Sequence, residues 1–346
     1  MTAATIVALV LLLGVAAYSC GGGTDYGAGM WDLAAGGVER GDRPRRLIDY
    51  AMAPVWEVNN VWLVFVLVIT WTGFPQVFAA VFSAAWIPLT LAILGLILRG
   101  VGFAFRKPTR HPRSRLRFTA LFGVSSILTP FFFAAALGAI ASGRVPLGSR
   151  DATIVSSWLN PTSVAFGLVS LAATAFIAAV FLTGDAGRFG APDLVTYFRR
   201  RSVVAAGAFM VVGAAALAVV RFDTPRLFAG LWSGGALLFT LGIPVLTVLT
   251  AVLVGRGIPR IPRVTAVGAV GATVFAWGVA QHPYILPTSL TIEQGAAPSS
   301  SLNWLVLVVV VAAILVIPPL VLLYRLDAMG ALEADHDEDL KPRGST

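Results

Sequence analysis

Charge is what this sequence has least of. Only 12% of its 346 residues are charged, while 57% are hydrophobic. A soluble globular domain carries roughly 25% charged residues, so the shortfall excludes an ordinary soluble fold. Histidine is nearly missing: His111, His282 and His336 are the only three, and none falls inside an apolar block. Membrane haem takes axial ligands from His, or from Met, Cys or Tyr, and no paired His spacing is present for haem or copper. Cysteine occurs once, at Cys20, which excludes an internal disulfide framework. There is no Walker loop and no dinucleotide fingerprint. Neither nucleotide hydrolysis nor a redox metal is expected of this chain alone.

What is present is a series of long apolar blocks. About 20 apolar residues carry a helix across a bilayer core of about 30 Å, and in lipid only helices or closed barrels satisfy the backbone. The blocks are continuous and do not alternate, so the fold class is an all-α integral membrane protein of about nine transmembrane helices. The blocks predict helices at roughly 3–31, 53–74, 77–104, 116–142, 158–184, 201–221, 226–254, 262–281 and 302–325. Prolines inside them (Pro88, Pro130, Pro244 and Pro318-Pro319) predict kinks whose freed carbonyls neighbouring helices must satisfy. Residues 1–326 form a single transmembrane unit. Residues 327–346, with Glu333, Asp335, Asp337, Glu338 and Asp339 close together, read as a disordered acidic cytoplasmic tail.

The net charge of +8 is not a nucleic-acid signal, because the basic residues sit in short loops. Loops after the odd-numbered predicted helices hold seventeen Arg and Lys residues against four, Arg144, Arg150, Arg221 and Arg226, in the others. Positive loops face the cytoplasm, which puts the N-terminus outside and the C-terminus inside. The apolar run Thr5–Tyr18 followed by Cys20 resembles a lipoprotein signal. The lack of a positive segment before it and the poor cleavage neighbours Ala17 and Tyr18 favour an uncleaved first helix. The one long outer loop, Pro283 to Ser301, carries a single charge, Glu293. It is expected to lie on the membrane surface or against a partner.

Charge inside a bilayer is rare and usually functional. Two carboxylates stand out: Asp25 near the end of the first predicted helix and Glu57 near the start of the second. A short loop joins these helices, so both acids are expected in one polar pocket of the cytoplasmic half. Asn59 and Asn60 add amides there, and Trp56 and Trp62 add large walls. A carboxylate in such a pocket can take up and release a proton. Against that stand a helix-dipole role for Glu57 and, for Asp25, a side chain satisfying backbone freed by the Gly21–Gly23 run. Arg99 is expected to snorkel to the headgroups, with pairing to a carboxylate as the alternative. Asp32 and Asp49 are expected at the interface. The tryptophans Trp31, Trp71, Trp86, Trp158 and Trp304 are expected in interfacial belts.

The stretch Gly23-Thr24-Asp25-Tyr26-Gly27-Ala28-Gly29-Met30-Trp31-Asp32-Leu33 resembles the end of helix 1 in subunit II of the cytochrome bd-type quinol oxidases. Ala53-Pro54-Val55-Trp56-Glu57-Val58-Asn59-Asn60-Val61-Trp62-Leu63 is similar to that family's second-helix signature. Phe74-Pro75, Leu98-Arg99-Gly100-Val101-Gly102-Phe103, Gln281-His282-Pro283-Tyr284 and Leu322-Leu323-Tyr324-Arg325 follow in family order.

The resemblance implies two four-helix bundles plus one peripheral helix. It implies a heterodimer in a bacterial plasma membrane with a haem-bearing subunit I, which would carry haem b, haem d and the quinol site, with a small accessory subunit possible. This chain would bind no cofactor and no metal, support its partner among lipid and quinone, and conduct cytoplasmic protons toward the site of oxygen reduction. Carried over by position, Asp25 and Glu57 fall on the family's acidic positions in that path, and Asn60 and Trp62 match the motif. Arg99, Trp56, Gly27 and Gly29 match as motif or structural positions. This chain departs at Gly22 and Ala104, where some members carry acids. Two other readings stay open. A proton-coupled secondary transporter would use the same acids, but it predicts internal inverted repeats, and the sequence shows no convincing repeat. A membrane scaffold would need neither acid.

Overall fold

The computed structural model describes residues 2–52, 55–106, 112–148 and 154–328. The side chains of residues 52–58, which include Trp56 and Glu57, lie outside the described residues, as does the whole of 329–346. The expected acidic tail therefore falls outside them. Fourteen helices and one small hairpin make up what is described, from α1 (Ala3–Leu33) to α14 (Ser299–Ala328).

Proline sets the beginnings of many helices. It stands at the first or second position of α4 (Pro75–Ala84), α8 (Pro161–Arg188), α9 (Pro192–Asp223), α10 (Pro225–Leu231) and α12 (Ile261–Gln281). A first-turn N–H has no intrahelical acceptor, so proline loses nothing there. At α8 the cap is complete: the side chain of Asn160 accepts from the Ser163 N–H.

Among the described residues, eight helices are long and apolar enough to cross a membrane. A ninth span results if Asn59–Gly73 and Pro75–Ala84, bent by 117°, are taken together. The expected count holds, but several boundaries do not. The predicted helix 77–104 is two helices, α4 and α5 (Trp86–Arg106), separated at Ala85. Pro88 therefore sits in the first turn of α5 and kinks nothing. Helix α9 starts at Pro192, so Arg199, Arg200 and Arg201 belong to a helix rather than to a loop. The expected loop after α1 contains α2 (Val38–Met52), a polar helix with Pro44 inside it. Its apolar side chains Leu47 and Ile48 are fully buried against Leu182, Leu194 and Phe198.

Packing groups the spans into two bundles. In the first, α1 lies against α3 (Val55–Gly73) and α6 (Pro112–Ala141), and α6 lies against α5. In the second, α8 lies against α9 and α12, and α11 (Gly234–Gly255) lies against α9 and α12. The bundles join where α1 meets α8, α6 meets α8 and α12 meets α1, while α14 rests peripherally on α1 and α3. The order long, long, short, long, long occurs twice: α1, α3, α4, α5, α6 and then α8, α9, α10, α11, α12. The breaks match in detail. Phe74 (φ −138, ψ 63) precedes Pro75, and Thr224 (φ −138, ψ 67) precedes Pro225. Each of these breaks therefore places a residue of nearly the same backbone geometry before a helix-starting proline.

Glycine lets the bundles meet. A Cβ on Gly27 would lie 2.0 Å from the Thr174 carbonyl oxygen, so α1 and α8 touch backbone to backbone. Trp31, expected in an interfacial belt, instead donates its indole N–H to the Ala175 carbonyl at 2.9 Å and ties the same two helices. At the opposite end, the loop of residues 283–301 packs on its own chain. Leu286 and Leu290 from its two-stranded hairpin are buried with Phe74, Val77 and Ala80.

Candidate functional site

The charged centre of the first bundle is built by α1, α5 and α6. Arg99, near the end of α5, is fully buried, and Asp25 on α1 is 5% exposed. The Arg99 Nη2 donates to the Asp25 carboxylate at 2.6 Å and to the Asp25 backbone carbonyl at 3.0 Å. Its Nη1 donates to the Ser126 hydroxyl on α6. The guanidinium lies 4.3 Å from the Phe122 ring centroid and 5.0 Å from that of Tyr26, a distance at which an aromatic face attracts a cation. The expectation that Arg99 snorkels is therefore corrected. A cation this near a buried carboxylate gains more from pairing than from reaching headgroups, and the pair is neutral as a unit.

Local sequence makes room for this arrangement. A Cβ on Gly29 would sit 2.1 Å from the Ser126 Oγ and 2.9 Å from the Arg99 Nη1. Gly29 is thus the gap through which Arg99 reaches α6. One turn before Asp25, Gly21 leaves its carbonyl to the Asn59 amide, which donates at 2.9 Å from α3. A Cβ on Gly21 would lie 2.4 Å from the Asn59 Oδ1.

The structure joins some of the expected residues and leaves others apart. Asp25 and Arg99 come together. Asn59 makes a bridge to α1, and Asn60 is half-buried on α3. Trp62 meets Phe65 edge-on at 5.9 Å. Glu57 and Trp56 belong to α3 by position, but their side chains lie outside the described residues. Asp32, expected at the interface, is fully buried, with Arg45 of α2 at 3.4 Å. Asp49 is half-buried on α2.

The sequence reading missed three features. The Tyr18 and Tyr26 hydroxyls, from residues about two turns apart on α1, are 2.7 Å from each other. In the second bundle, Arg263 of α12 pairs with Asp185 of α8 at 2.5 Å and also donates to the Phe181 carbonyl at 3.0 Å. Arg144, in the loop after α6, grips Asp223 at the end of α9 with two bonds of 2.8 Å, and Thr162 adds its hydroxyl at 2.6 Å. That bond to Asp223 holds the Arg144 guanidinium above its ordinary pKa. The available signal for the second of these was Asp185 itself, an acid in the last turn of a long apolar helix.

Between the bundles lies a cavity of about 460 Å³. Its walls include Phe133, Phe166, Phe209, Met210 and Trp277, with the Tyr18 and Tyr26 rings on one side.

A sequence description of cytochrome bd terminal oxidase subunit II matches residues 3–327. The chain belongs to that family. It is 26% identical to a chain in the structure of bd oxidase from Geobacillus thermodenitrificans, covering 94% of this chain and 98% of that one with a TM-score of 0.73. It is 30% identical over 168 residues to cytochrome bd-I ubiquinol oxidase subunit 2 of Escherichia coli (strain K12). That alignment takes in 47% of this chain and 42% of the relative, so it spans less than half the relative's length. A putative cytochrome bd menaquinol oxidase subunit II of Bacillus subtilis (strain 168) is 21% identical over 303 residues, 85% of this chain and 86% of that protein. Like its family, the chain is a multi-pass membrane protein. A cytochrome bd complex implies haem. His282 is the described histidine, and it caps the end of α12 instead of facing a bundle interior. Among the described residues, no group of three His, Cys, Asp or Glu side chains could hold a metal.

Proposed function

We propose that this chain is the haem-free half of a quinol-oxidising, oxygen-reducing complex in a bacterial plasma membrane. It supports a haem-bearing subunit I and delivers cytoplasmic protons toward it. The observation that carries the reading is the buried pairing of Asp25 with Arg99 at the arginine-rich end of the first bundle. The bias of basic residues assigns that end to the cytoplasm, so the N-terminus is outside. Haem in the partner supplies the oxygen chemistry. The part assigned to this chain is to hold and pass protons.

The geometry supports a reversible carrier. When Asp25 takes a proton, its carboxyl no longer balances Arg99. The guanidinium still keeps the Asp25 carbonyl, the Ser126 hydroxyl and two aromatic faces. The cation is thus retained by groups that do not titrate, and Asp25 can release its proton and re-form the pair. Glu57, two residues before Asn59 on α3, is the proposed uptake acid, and Asn60 and Trp62 belong to the same segment. A secondary transporter is the less supported alternative. The sequence shows no convincing inverted repeat, and the central cavity is walled mostly by aromatic and aliphatic side chains.

Two variants test the reading in the assembled complex, with quinol-driven oxygen consumption as the measurement. Glu57→Gln and Asp25→Asn are expected to slow turnover several-fold while the haem spectrum stays intact. Unchanged turnover in both variants, with assembly intact, would overturn it.

A further inference from the structure

We propose that the corner formed by the start of α9 and the α11–α12 turn binds the phosphate of an anionic phospholipid. Three arginines belong to this corner. Arg256 caps the end of α11, and Arg260 caps the start of α12. Arg199 reaches across from α9: its Nη2 lies 3.0 Å from where a Cβ on Gly257 would sit. Gly257 has φ +76, a conformation that glycine adopts freely, so the turn both bends and leaves space for the guanidinium.

No carboxylate of the second bundle is free to balance this charge. Helices α11 and α12 contain no acidic residue. The acids that α8 and α9 bring to this end are engaged elsewhere, Asp185 with Arg263 and Asp193 with Arg43. The Arg199 Nε is buried and has no acceptor among the described residues. Like charges close together repel, and a buried N–H left without an acceptor is costly. The helices that form this corner therefore leave its positive charge available to an outside anion.

A lipid fits better than a free ion because of what lies beside the arginines. Val203, one turn beyond Arg199, is exposed, as are Val252, Leu249, Val248, Val245 and Leu241 along α11. From Val252 back to Leu241 the helix rises about 16 Å, comparable to one leaflet of a bilayer core of about 30 Å. Helices α9 and α11 pack together, so the apolar strip leads away from the charged corner as an acyl chain would. Basic pockets between spans bind acidic lipid headgroups in this manner, and the arginine fork suits a phosphate diester.

The test uses the purified complex containing this chain, reconstituted in phosphatidylcholine vesicles with and without phosphatidylglycerol, then extracted and weighed by native mass spectrometry. The parent complex is expected to retain phosphatidylglycerol. The variant Arg199→Gln/Arg256→Gln/Arg260→Gln is expected to retain about tenfold less or lower, while Arg40→Gln, an exposed arginine on α2, leaves retention unchanged. The corresponding triple Lys variant keeps the charge without the fork and is expected to fall between. Equal retention in the triple Gln variant and the parent would overturn the proposal. So would thermal stabilisation by inorganic phosphate equal to that by phosphatidylglycerol, since the site would then hold an anion without needing its chains.

Discussion

Arg99 holds Asp25 at two points, the carboxylate at 2.6 Å and the backbone carbonyl at 3.0 Å, through the same nitrogen. The pair is therefore asymmetric. Arg99 has further partners in Ser126, Tyr26 and Phe122, whereas Arg99 is the donor that the structure gives the Asp25 carboxylate.

That asymmetry orders the cost of breaking the pair. Removing one partner of a buried ion pair costs about 3–5 kcal/mol, because it leaves a charge uncompensated. Arg99→Gln is expected to lie at or above the upper end of that range and to lower the yield of assembled complex. Asp25→Asn is expected at the lower end, since the guanidinium keeps its other contacts. The double variant Asp25→Asn/Arg99→Gln is expected to recover part of the loss. Melting temperatures in detergent compare the three, and equal costs for the two single variants would contradict the asymmetry.

The contact between α1 and α8 makes a second prediction. At Gly27 a methyl group would meet the backbone of Thr174 at 2.0 Å. Backbone cannot rotate away, so Gly27→Ala must push the helices apart, at about 1–3 kcal/mol. Gly100 on α5 has nothing within 4 Å of its built Cβ. There the same change is expected to be neutral, or stabilising by roughly 0.5–1 kcal/mol through helix propensity. Thermal unfolding of the two variants side by side checks the contrast.

Sequence made the spans legible and hid most of what joins them. Long apolar blocks announce helices because a bilayer demands length, and the count of about nine survived. The break at Ala85 was not visible, because residues on both sides are equally apolar and only geometry separates α4 from α5. Helix α2 was missed for the opposite reason: it is too polar to register as a span, yet Leu47 and Ile48 bury it. Asp25 was legible as an isolated intramembrane acid. Its partner Arg99 was legible as a charge, with pairing to a carboxylate only the second choice after snorkelling, because 74 residues separate the two. The pairing depends on Gly29 leaving a gap toward Ser126, which no single-residue signal announces.

The Arg144–Asp223 fork joins the loop after α6 to the end of α9, and Thr162 brings in the start of α8. Arg144 is 38% exposed, so solvent screens the pair and its worth is about 1 kcal/mol or less. Asp223→Asn is expected to lower the melting temperature slightly, and the difference from the parent is expected to shrink as salt is raised. Thr162→Val removes one hydroxyl donor, and its effect is expected to be insensitive to salt. A salt-independent loss for Asp223→Asn would show that packing rather than charge holds this corner.

The aromatic cage around Arg99 separates two roles that one tyrosine could play. The Tyr26 ring faces the guanidinium at 5.0 Å, and its hydroxyl meets that of Tyr18 at 2.7 Å. If the ring matters, Tyr26→Phe keeps the cation's neighbour and Tyr26→Leu removes it, at about 0.5–2 kcal/mol. If the hydroxyl pair matters, Tyr26→Phe and Tyr18→Phe act alike, since each leaves the other phenol without its partner. The ring is expected to dominate, because the guanidinium must stay in place whenever Asp25 is neutral. In the assembled complex, Tyr26→Leu is then expected to shift the pH profile of oxygen consumption while Tyr26→Phe and Tyr18→Phe follow the parent. Matching shifts in the two Phe variants would instead assign the effect to the hydroxyls, and the cage would be packing alone.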